Sequence, residues 1–412
     1  MQEVRYFSCR EYIHTDIQRF FHEQLAFFAQ LEAMLGDVTG ETAVPGLRLD
    51  FNCGLRLQVP QGDYHVRISD YDSCKVFLDE DASDVLLISV EKYYIHWQVE
   101  VWQAGELVLA HVFTLEPGTK VHFINVSGAI GDTVVFLPYI AAMQQRYGIR
   151  ATCFMHNHLH SLVKRIYPDL PLQEHIDDDT YATFYFGFGI DAPNYLPIDG
   201  RQVPMERVGQ LICGLDRPAH PIRWPAGPRP VGFAEPYVCI GVQASSVSKC
   251  WQYPGGWEIV VGELKKMGYR VLCIDKDRTQ GSGPYKVDMP EGAEDFTGAR
   301  PLTERADMLA HAEFFIGLGS GLSHLAHMVG CPVVLICGFS WPWYEFATPY
   351  RVWNPLTCSS CFNEMDVEFL KSFCPRYGGT ERELECSKMI TPRMVLQRVA
   401  RLYRLVHNGA RE

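Results

Sequence analysis

The segment 127–132, SGAIGD, joins two glycines and a carboxylate where an apolar run gives way to a helical pattern. Gly128 and Gly131 allow the backbone to turn sharply, which places Asp132 near the start of the helix. Spacing alone leaves two interpretations of Asp132 open. Aspartate is a favoured helix N-cap, and a carboxylate in a cleft can also act as a general base toward an incoming hydroxyl. The glycines do not form GxGxxG, so the dinucleotide fingerprint is absent.

A second polar loop, QASSVSKCW at 243–251, also follows an apolar strand-like run. Its small hydroxyl residues, Ser246 among them, together with Lys249 could hold a pyrophosphate, with the lysine acting as a point charge. The alternative is an ordinary solvated lysine. Its place at the carboxyl end of a strand favours the phosphate interpretation.

A third loop, GLGSGLSHLAH at 317–327, opens a helix with Gly, Ser and Gly. Exposed amides at a helix N-terminus favour phosphate binding, and His324 in the first turn could touch a ligand. His327 lies on the same helical face, so a metal pair is conceivable, although packing in the core is the favoured interpretation. Arg305, upstream, could reach the same cleft or lie at the surface.

Four of the fourteen cysteines are clustered in the pattern CSSC-x12-C-x11-C, at Cys358, Cys361, Cys374 and Cys386. Four thiolates can make a tetrahedral zinc or iron site, which would order a segment with few apolar runs. With no open position, its role would be structural. A zinc ribbon on nucleic acid is the rival interpretation. The other ten cysteines are scattered, and we expect them to be small, reduced hydrophobic residues.

Two further patterns resemble metal sites. HNHLH at 156–160 lies in a polar stretch, and we expect it to face solvent. Asp-x-Asp occurs at 70–72, 79–81, 177–179 and 275–277, and metal-dependent sugar transferases use such a pair to hold a divalent ion. We interpret all four pairs as solvated.

The composition indicates the class of protein in which these sites occur. The chain has 412 residues, 47% hydrophobic and 21% charged, which is typical of a globular protein of two to three domains. A net charge of −12 argues against binding to nucleic acid or anionic membranes. The first residues lack the pattern of a signal peptide, and nothing approaches the ~20 apolar residues of a membrane helix. We therefore expect a soluble, cytoplasmic protein.

The elements that position the loops follow from periodicity. Residues 11–36 have helical spacing ended by Gly36, and residues 45–116 alternate with a period of two, which predicts an antiparallel sheet or small barrel. Later strands alternate with helices on both sides of the Pro-rich stretch 218–230, which predicts two Rossmann-like domains with a cleft between them. The predicted divisions are 1–118 (helix and β-rich domain), 119–230 and 231–355 (Rossmann-like), 356–388 (four-cysteine finger) and 389–412 (C-terminal helix).

These segments together resemble the bacterial heptosyltransferases. The resemblance rests on FINVSGAIGDTVVFLP, ASSVSKCWQYPGGW and the stretch from TGARPLTERADMLAHAEF to GLGSGLSHLAHMVGCPVVLICGFSWP, and spans about 121–342. Gly319 departs from the pattern, because the usual late motif begins Asp-Ser-Gly. The N-terminal β-rich segment and the four-cysteine insert look like the autotransporter heptosyltransferases, so the resemblance covers nearly the whole chain.

The resemblance implies a GT-B-like enzyme that transfers heptose, by inverting displacement, from ADP-glycero-manno-heptose to serine or threonine hydroxyls of an autotransporter adhesin passenger domain. It implies a bacterial, cytoplasmic dodecamer with one Fe(III) per subunit (zinc being the alternative) and no divalent ion in catalysis. Asp132 would be the base and the four clustered cysteines the metal ligands. The implied donor-binding residues are Ser246, Lys249, Arg305, Gly319, Ser320, Gly321, Ser323 and His324.

Two rivals remain. A lipopolysaccharide-core heptosyltransferase or another nucleotide-sugar transferase would keep the fold and change the acceptor or the sugar. A non-catalytic metal-binding or redox protein is disfavoured, because a rubredoxin-like site typically uses two CxxC pairs and this chain has one.

Overall fold

The computed structural model describes residues 3–10, 31, 33–188, 193–229, 232–367 and 373–408. Most of the helix predicted over 11–36 lies outside these residues. Its end is described, because residues 33–35 are helical and Gly36 follows with a left-handed φ of 67°. Leu31 and Leu35 on this last turn are buried. No helix in the described ranges has the length and apolar composition needed to cross a membrane.

The N-terminal half contains eleven strands among the described residues. In chain order they are β1 (Glu3–Phe7), β2 (Arg48–Asn52), β3 (Arg56–Val59), β4 (Tyr64–Asp70), β5 (Val76–Ala82), β6 (Val85–Ser89), β7 (Trp97–Gln103), β8 (Glu106–Val112), β9 (Lys120–Asn125), β10 (Arg150–Phe154) and β11 (Ala182–Phe186). Seven of them form one sheet in the order β1-β6-β3-β2-β11-β9-β10. Strands β11, β9 and β10 are parallel, as predicted for a Rossmann-like unit.

The period-two segment does not close into a barrel. Strands β5-β4-β7-β8 form an open antiparallel sheet, while β1, β6, β3 and β2 extend the Rossmann-like sheet through the pairing of Phe51 with Ala182. Val66 and Val99 of the small sheet share one core with Leu57 and with Phe123 of β9. The barrel-like prediction is therefore wrong as to closure, and the predicted boundary at 118/119 falls inside one continuous core.

Besides the helical turn that ends at residue 35, the described residues of this half form three α-helices: α1 (Ile130–Tyr147), α2 (Asn157–Ile166) and α3 (Val208–Cys213). The helix predicted after Asp132 is confirmed as α1. It ends where predicted, because Gly148 takes a left-handed φ of 68° and its N–H bonds back to the carbonyl of Gln144.

The C-terminal half is a second Rossmann-like unit. Its strands are β12 (Tyr237–Ile240), β13 (Arg270–Cys273), β14 (Thr279–Gln280), β15 (Val287–Asp288), β16 (Glu294–Asp295), β17 (Phe315–Leu318), β18 (Val333–Ile336) and β19 (Arg351–Val352). A parallel sheet has the order β16-β13-β12-β17-β18-β19, and β14 and β15 form a separate hairpin. Its helices are α4 (Gly256–Lys266), α5 (Leu302–Ala310) and α6 (Gly321–Met328).

The chain ends with α7 (Glu385–Lys388) and α8 (Pro392–Asn408). The predicted C-terminal helix is confirmed as α8, and it buries Val395, Val399 and Leu402 in the core of the second unit. The four-cysteine segment lies between β19 and α8 and packs on the second unit, where the amide of Ser360 donates to the carbonyl of Gly338.

Candidate functional site

The site lies where the N-termini of α1 and α6 meet between the two Rossmann-like units. Glycines allow the contact. A Cβ on Gly321 would stand 3.0 Å from the Cβ of Ile130, and a Cβ on Gly131 would stand 3.1 Å from Cδ2 of His324. Since both helices start at this junction, two sets of N-terminal amides point toward the same space.

Asp132 is the third residue of α1 and is half-buried. The hydroxyl of Ser127 donates to Oδ2 of Asp132 at 2.5 Å. The N-cap interpretation is wrong, because the cap residue is Ala129 and no side chain caps the helix. The carboxylate is instead positioned by the turn that precedes the helix.

Burial raises the pKa of Asp132 above its ordinary value, while the Ser127 hydrogen bond and the charges of Lys249 and His324 oppose that shift and Glu345 adds to it. A carboxylate with a raised pKa is a stronger proton acceptor once it is ionised. This is the electrostatic property expected of a general base.

The turn that carries Ser127 is fixed from outside by two histidines. Nε2 of His156 lies 2.9 Å from the carbonyl oxygen of Val126, and Nε2 of His158 lies 2.9 Å from that of Gly128. Both imidazoles are exposed, as expected for the HNHLH segment. Their role in holding this turn was missed, because nothing in the local sequence reports which loop they face.

Lys249 ends a 3₁₀ turn, Val247–Lys249, and is half-buried at the cleft. Its Nζ lies 5.0 Å from the centroid of the Phe339 ring, and its charge lowers the pKa of both Asp132 and Glu345. Ser246 is buried, with its hydroxyl 2.8 Å from that of Ser248. The structure thus brings Lys249 together with Asp132, as the sequence predicted.

The two serines of the loop at 319–324 differ in their contacts. Ser320 precedes α6 and makes no side-chain cap, and the buried hydroxyl of Ser323 donates to the carbonyl of Leu318. A Cβ on Gly319 would stand 2.5 Å from Cε1 of Phe339 and 2.8 Å from Oε1 of Glu345. Gly319 is therefore the residue that leaves room for a carboxylate arriving from elsewhere in the chain.

That carboxylate belongs to Glu345, which sequence reasoning missed. It is 3% exposed, and its Oε2 lies 2.8 Å from Nε2 of His324. Burial alone would raise the pKa of Glu345, but the hydrogen bond and charge of His324, with Lys249 and Arg351, lower it to about 2. The group is a buried anion surrounded by positive charge. His327 is exposed, with its ring stacked 4.4 Å from the Phe346 ring centroid, so the prediction that it packs in the core is wrong.

Arg305 is buried and anchors two loops of the second unit. Its guanidinium donates to the carbonyls of Ile274, Asp275, Phe296 and Gly298. These contacts are structural, and its role in donor binding stays a prediction. The carboxyl of Asp275 is also buried and accepts from the amides of Val242 and Gln243, so the solvated interpretation of the 275–277 pair is wrong for Asp275. Burial raises the pKa of Asp275 to about 6.

The four clustered cysteines lie near one another beside this site. Cys361, Cys374 and Cys386 are buried and Cys358 is half-buried. Burial raises the pKa of Cys386, and the other three sulfurs add to the shift. Within the described ranges, no three His, Cys, Asp or Glu side chains are arranged to hold a metal ion. As a donor set, four neighbouring thiols nevertheless suit iron or zinc. The amide of Tyr377 also donates to Sγ of Cys374 at 3.4 Å.

The remaining ten cysteines all lie within the described residues. Nine of them are buried, which fits the prediction of small hydrophobic residues, and only Cys74 is exposed.

Comparison with known proteins gives two family models that match separate parts of the chain. The model described as the N-terminal domain of glycosyltransferase TibC matches residues 44–105. The model described as glycosyltransferase family 9 (heptosyltransferase) matches residues 206–368. The first covers the β-rich segment and the second covers the Lys249, Gly319–His324 and Glu345 loops.

Three relatives match over most of their length. The autotransporter heptosyltransferase BAHTCr of Citrobacter rodentium (strain ICC168) is 39% identical, over 86% of this chain and 88% of its own. TibC of Escherichia coli O78:H11 (strain H10407 / ETEC) is 38% identical, over 86% and 89%. BimC of Burkholderia thailandensis (strain E264), described as an inactive autotransporter heptosyltransferase, is 32% identical, over 86% and 85%.

A solved structure of TibC is described as a dodecameric, iron-containing heptosyltransferase in complex with ADP-D-beta-D-heptose. It matches this chain with a TM-score of 0.84 and 35% identity, and covers 90% of this chain and 99% of that one.

Proposed function

Because this chain belongs to the autotransporter heptosyltransferase family, we propose that it moves heptose from ADP-heptose to serine or threonine hydroxyls of an autotransporter adhesin passenger domain. The observation that carries the proposal is the placement of Asp132. This half-buried carboxylate with a raised pKa shares the junction of α1 and α6 with the Lys249 ammonium. An active member of the family, rather than one like BimC, needs such a base.

In the proposed reaction the acceptor hydroxyl approaches Asp132 from the exposed side of the turn at Gly128 and Ala129. Asp132 takes the hydroxyl proton as the oxygen attacks the anomeric carbon. The new C–O bond forms as the bond from that carbon to the diphosphate breaks, and ADP leaves with the electron pair. A single displacement of this kind inverts the anomeric centre.

The C-terminal unit would hold the donor. Negative charge grows on the departing diphosphate, and fixed donors aimed at that charge stabilise the transition state. Lys249 supplies a positive charge, and the N-terminus of α6, which begins at Gly321, supplies backbone amides. The amide of Ser320 is not among them, because it donates to the carbonyl of Leu318. Since these groups meet the diphosphate charge, the proposal needs no divalent ion. Ser246, Ser323 and Arg305 would act by shaping the loops, because their polar groups already have partners in the protein.

We further propose that Cys358, Cys361, Cys374 and Cys386 hold one iron per subunit, with zinc as the alternative, and that the chain assembles as a cytoplasmic dodecamer. The iron and the assembly follow the description of TibC. The metal would order the segment next to the cleft, where the amide of Ser360 donates to the carbonyl of Gly338 and that of Phe362 to Phe339. The chemistry that the metal supplies is structural.

The test is the intact mass of an adhesin passenger fragment co-expressed with this protein in a host that makes ADP-heptose. We expect mass increments of heptose with the wild type and none with Asp132→Asn, which keeps size and removes the base. We also expect Asp132→Asn to bind ADP-heptose as the wild type does. Normal transfer by this variant would contradict the assignment of the base.

The rivals give different results in the same assay. Transfer to lipid acceptor but not to adhesin would indicate a lipopolysaccharide-core enzyme, and increments of another mass would indicate another sugar. A wild-type protein that binds ADP-heptose and modifies neither acceptor would belong with the inactive members of the family.

A further inference from the structure

We propose that Glu345 is a positioning residue for the transfer reaction, acting through His324, which it holds against the backbone at Gly131 beside the base. This inference rests on the proposed function and adds to it a residue that lies just beyond the end of the third sequence motif. It concerns a buried carboxylate that the reaction as described above does not use.

The first observation is the shape of the space around Glu345. Its side chain is 3% exposed and fills the position that a side chain on residue 319 would occupy. An added Cβ at Gly319 would meet Oε1 of Glu345 at 2.8 Å and the sulfur of Cys337 at 3.0 Å. Burying a carboxylate is costly unless it is paired and hydrogen-bonded. The chain therefore keeps a specific place for this group.

The second observation is a line of polar contacts that ends at the cleft. Nη2 of Arg351, on β19, donates to the carbonyl of Ser340 at 2.9 Å and lies 3.2 Å from its Oγ. The Ser340 hydroxyl donates to Oε1 of Glu345 at 3.2 Å, and Oε2 of Glu345 lies 2.8 Å from Nε2 of His324. Both carboxylate oxygens thus have partners, and the imidazole is fixed from behind.

The third observation is where His324 points its ring. Cδ2 of His324 lies so close to Gly131 that a Cβ there would stand 3.1 Å away. Gly131 immediately precedes Asp132, so a displaced imidazole would displace the start of α1. His324 is 4% exposed, which leaves it little freedom once Glu345 holds Nε2. The carboxylate in one unit therefore fixes the position of the base in the other.

The same arrangement affects the charge at the base. The charged groups that act on Asp132 are Lys249 and His324, which lower its pKa, and Glu345, which raises it. Removing the charge of Glu345 should therefore lower the pKa of Asp132. The pH at which the rate falls on the acid side should move downward. A purely structural role would reduce stability or rate without moving this acid limb of the pH profile.

The experiment measures kcat and its pH profile for Glu345→Gln, Glu345→Asp and wild type, assembled as full chains. Displacement of a reacting group by about 1 Å can cost about 100-fold in rate, and we expect kcat to fall about 10- to 100-fold in both variants. The acid limb should move to lower pH in Glu345→Gln and stay in place in Glu345→Asp, which keeps the charge. A control, Glu304→Gln, alters a half-exposed carboxylate on α5 that pairs with Arg300. It should change neither kcat nor the acid limb.

If Glu345→Gln does not fold, Ser340→Ala removes one hydrogen bond from the same carboxylate and should lower kcat in the same direction. An unchanged acid limb in a folded Glu345→Gln, or a wild-type kcat in Ser340→Ala when that is the variant used, would overturn the inference. No transfer by the wild type would instead overturn the proposed function, so the two failures are distinct.

Discussion

The turn before α1 is exposed at Gly128 and Ala129 and is held by single hydrogen bonds from two exposed histidines. The loop before α6, on the other side of the cleft, is backed by the buried groups Glu345 and Ser340. The turn before α1 is therefore held by contacts at the surface, and the loop before α6 is held by buried contacts.

This difference suits the two substrates that we propose. A passenger domain is a polypeptide, and its hydroxyls can reach Asp132 only from an open face. A sugar nucleotide is small, and a preformed site lowers the cost of holding its diphosphate in a reactive position. The comparison predicts that substitutions on the donor face affect rate and stability more strongly than those on the acceptor face.

The largest effect that we expect in this comparison is from Lys249→Met on the donor face. Loss of one fixed positive group facing the diphosphate should lower kcat/KM about 100-fold or more. Because Lys249 lowers the pKa of Asp132, its loss should also move the acid limb of the pH profile upward, opposite to the shift expected for Glu345→Gln. The measurement is steady-state kinetics across pH, with the exposed Lys276→Met as control. Equal behaviour of the two variants would contradict this prediction.

A smaller effect should separate two glycines that lie on opposite sides of the cleft. Gly319→Ala places a methyl 2.5 Å from Phe339 and should destabilise the fold by about 1–3 kcal/mol. Gly131→Ala meets only the edge of His324 at 3.1 Å and lies within α1. There alanine gains helix propensity of about 1 kcal/mol, so its stability should be near that of the wild type. Thermal unfolding of both variants provides the comparison, and a lower Tm for Gly131→Ala than for Gly319→Ala would reverse the ranking.

The smallest effect should come from the histidines on the acceptor face. His156→Ala and His158→Ala each remove one hydrogen bond to the turn before Asp132, worth about 1 kcal/mol, which corresponds to about 5-fold in rate. Donor affinity should be unchanged. His160→Ala is a matched control, because His160 bonds to the carbonyl of Met155 rather than to this turn. A loss of donor affinity in the first two variants would show that the faces are not independent.

Much of the fold could be predicted because local periodicity reports it directly. The strand–turn–helix around Asp132, the two strand–helix units after residue 236 and α8 follow from apolar spacing and glycine stops. The partners of the N-terminal strands could not be predicted in this way. A period of two reports which face of a strand is buried, but Phe51 pairs with Ala182, more than a hundred residues away.

The residues of the site also differ in whether the local sequence predicts them. Asp132, Lys249 and His324 each stand in a loop with a recognisable spacing, and the structure brings them together. Glu345 lies in a segment without such a spacing and enters the site only because Gly319 is small. Arg305 is the opposite case, because the resemblance predicts a donor-binding role for it. The resemblance does not predict that its guanidinium donates to four backbone carbonyls.

The contact between α7 and the Lys249 loop has a consequence for how the enzyme matures. The hydroxyl of Ser387 donates to the carbonyl of Cys250 at 2.6 Å and accepts from the amide of Gln252 at 2.8 Å. The residues of the first unit that contact the turn before Asp132, as described above, have all been synthesised once the ribosome reaches residue 158. It must reach residue 387 before the Lys249 loop is complete. During synthesis the turn that carries the base is therefore supplied long before His324, Glu345 and the complete Lys249 loop. A nascent or truncated chain lacks both the site for the sugar nucleotide and the groups that fix the base from the other unit.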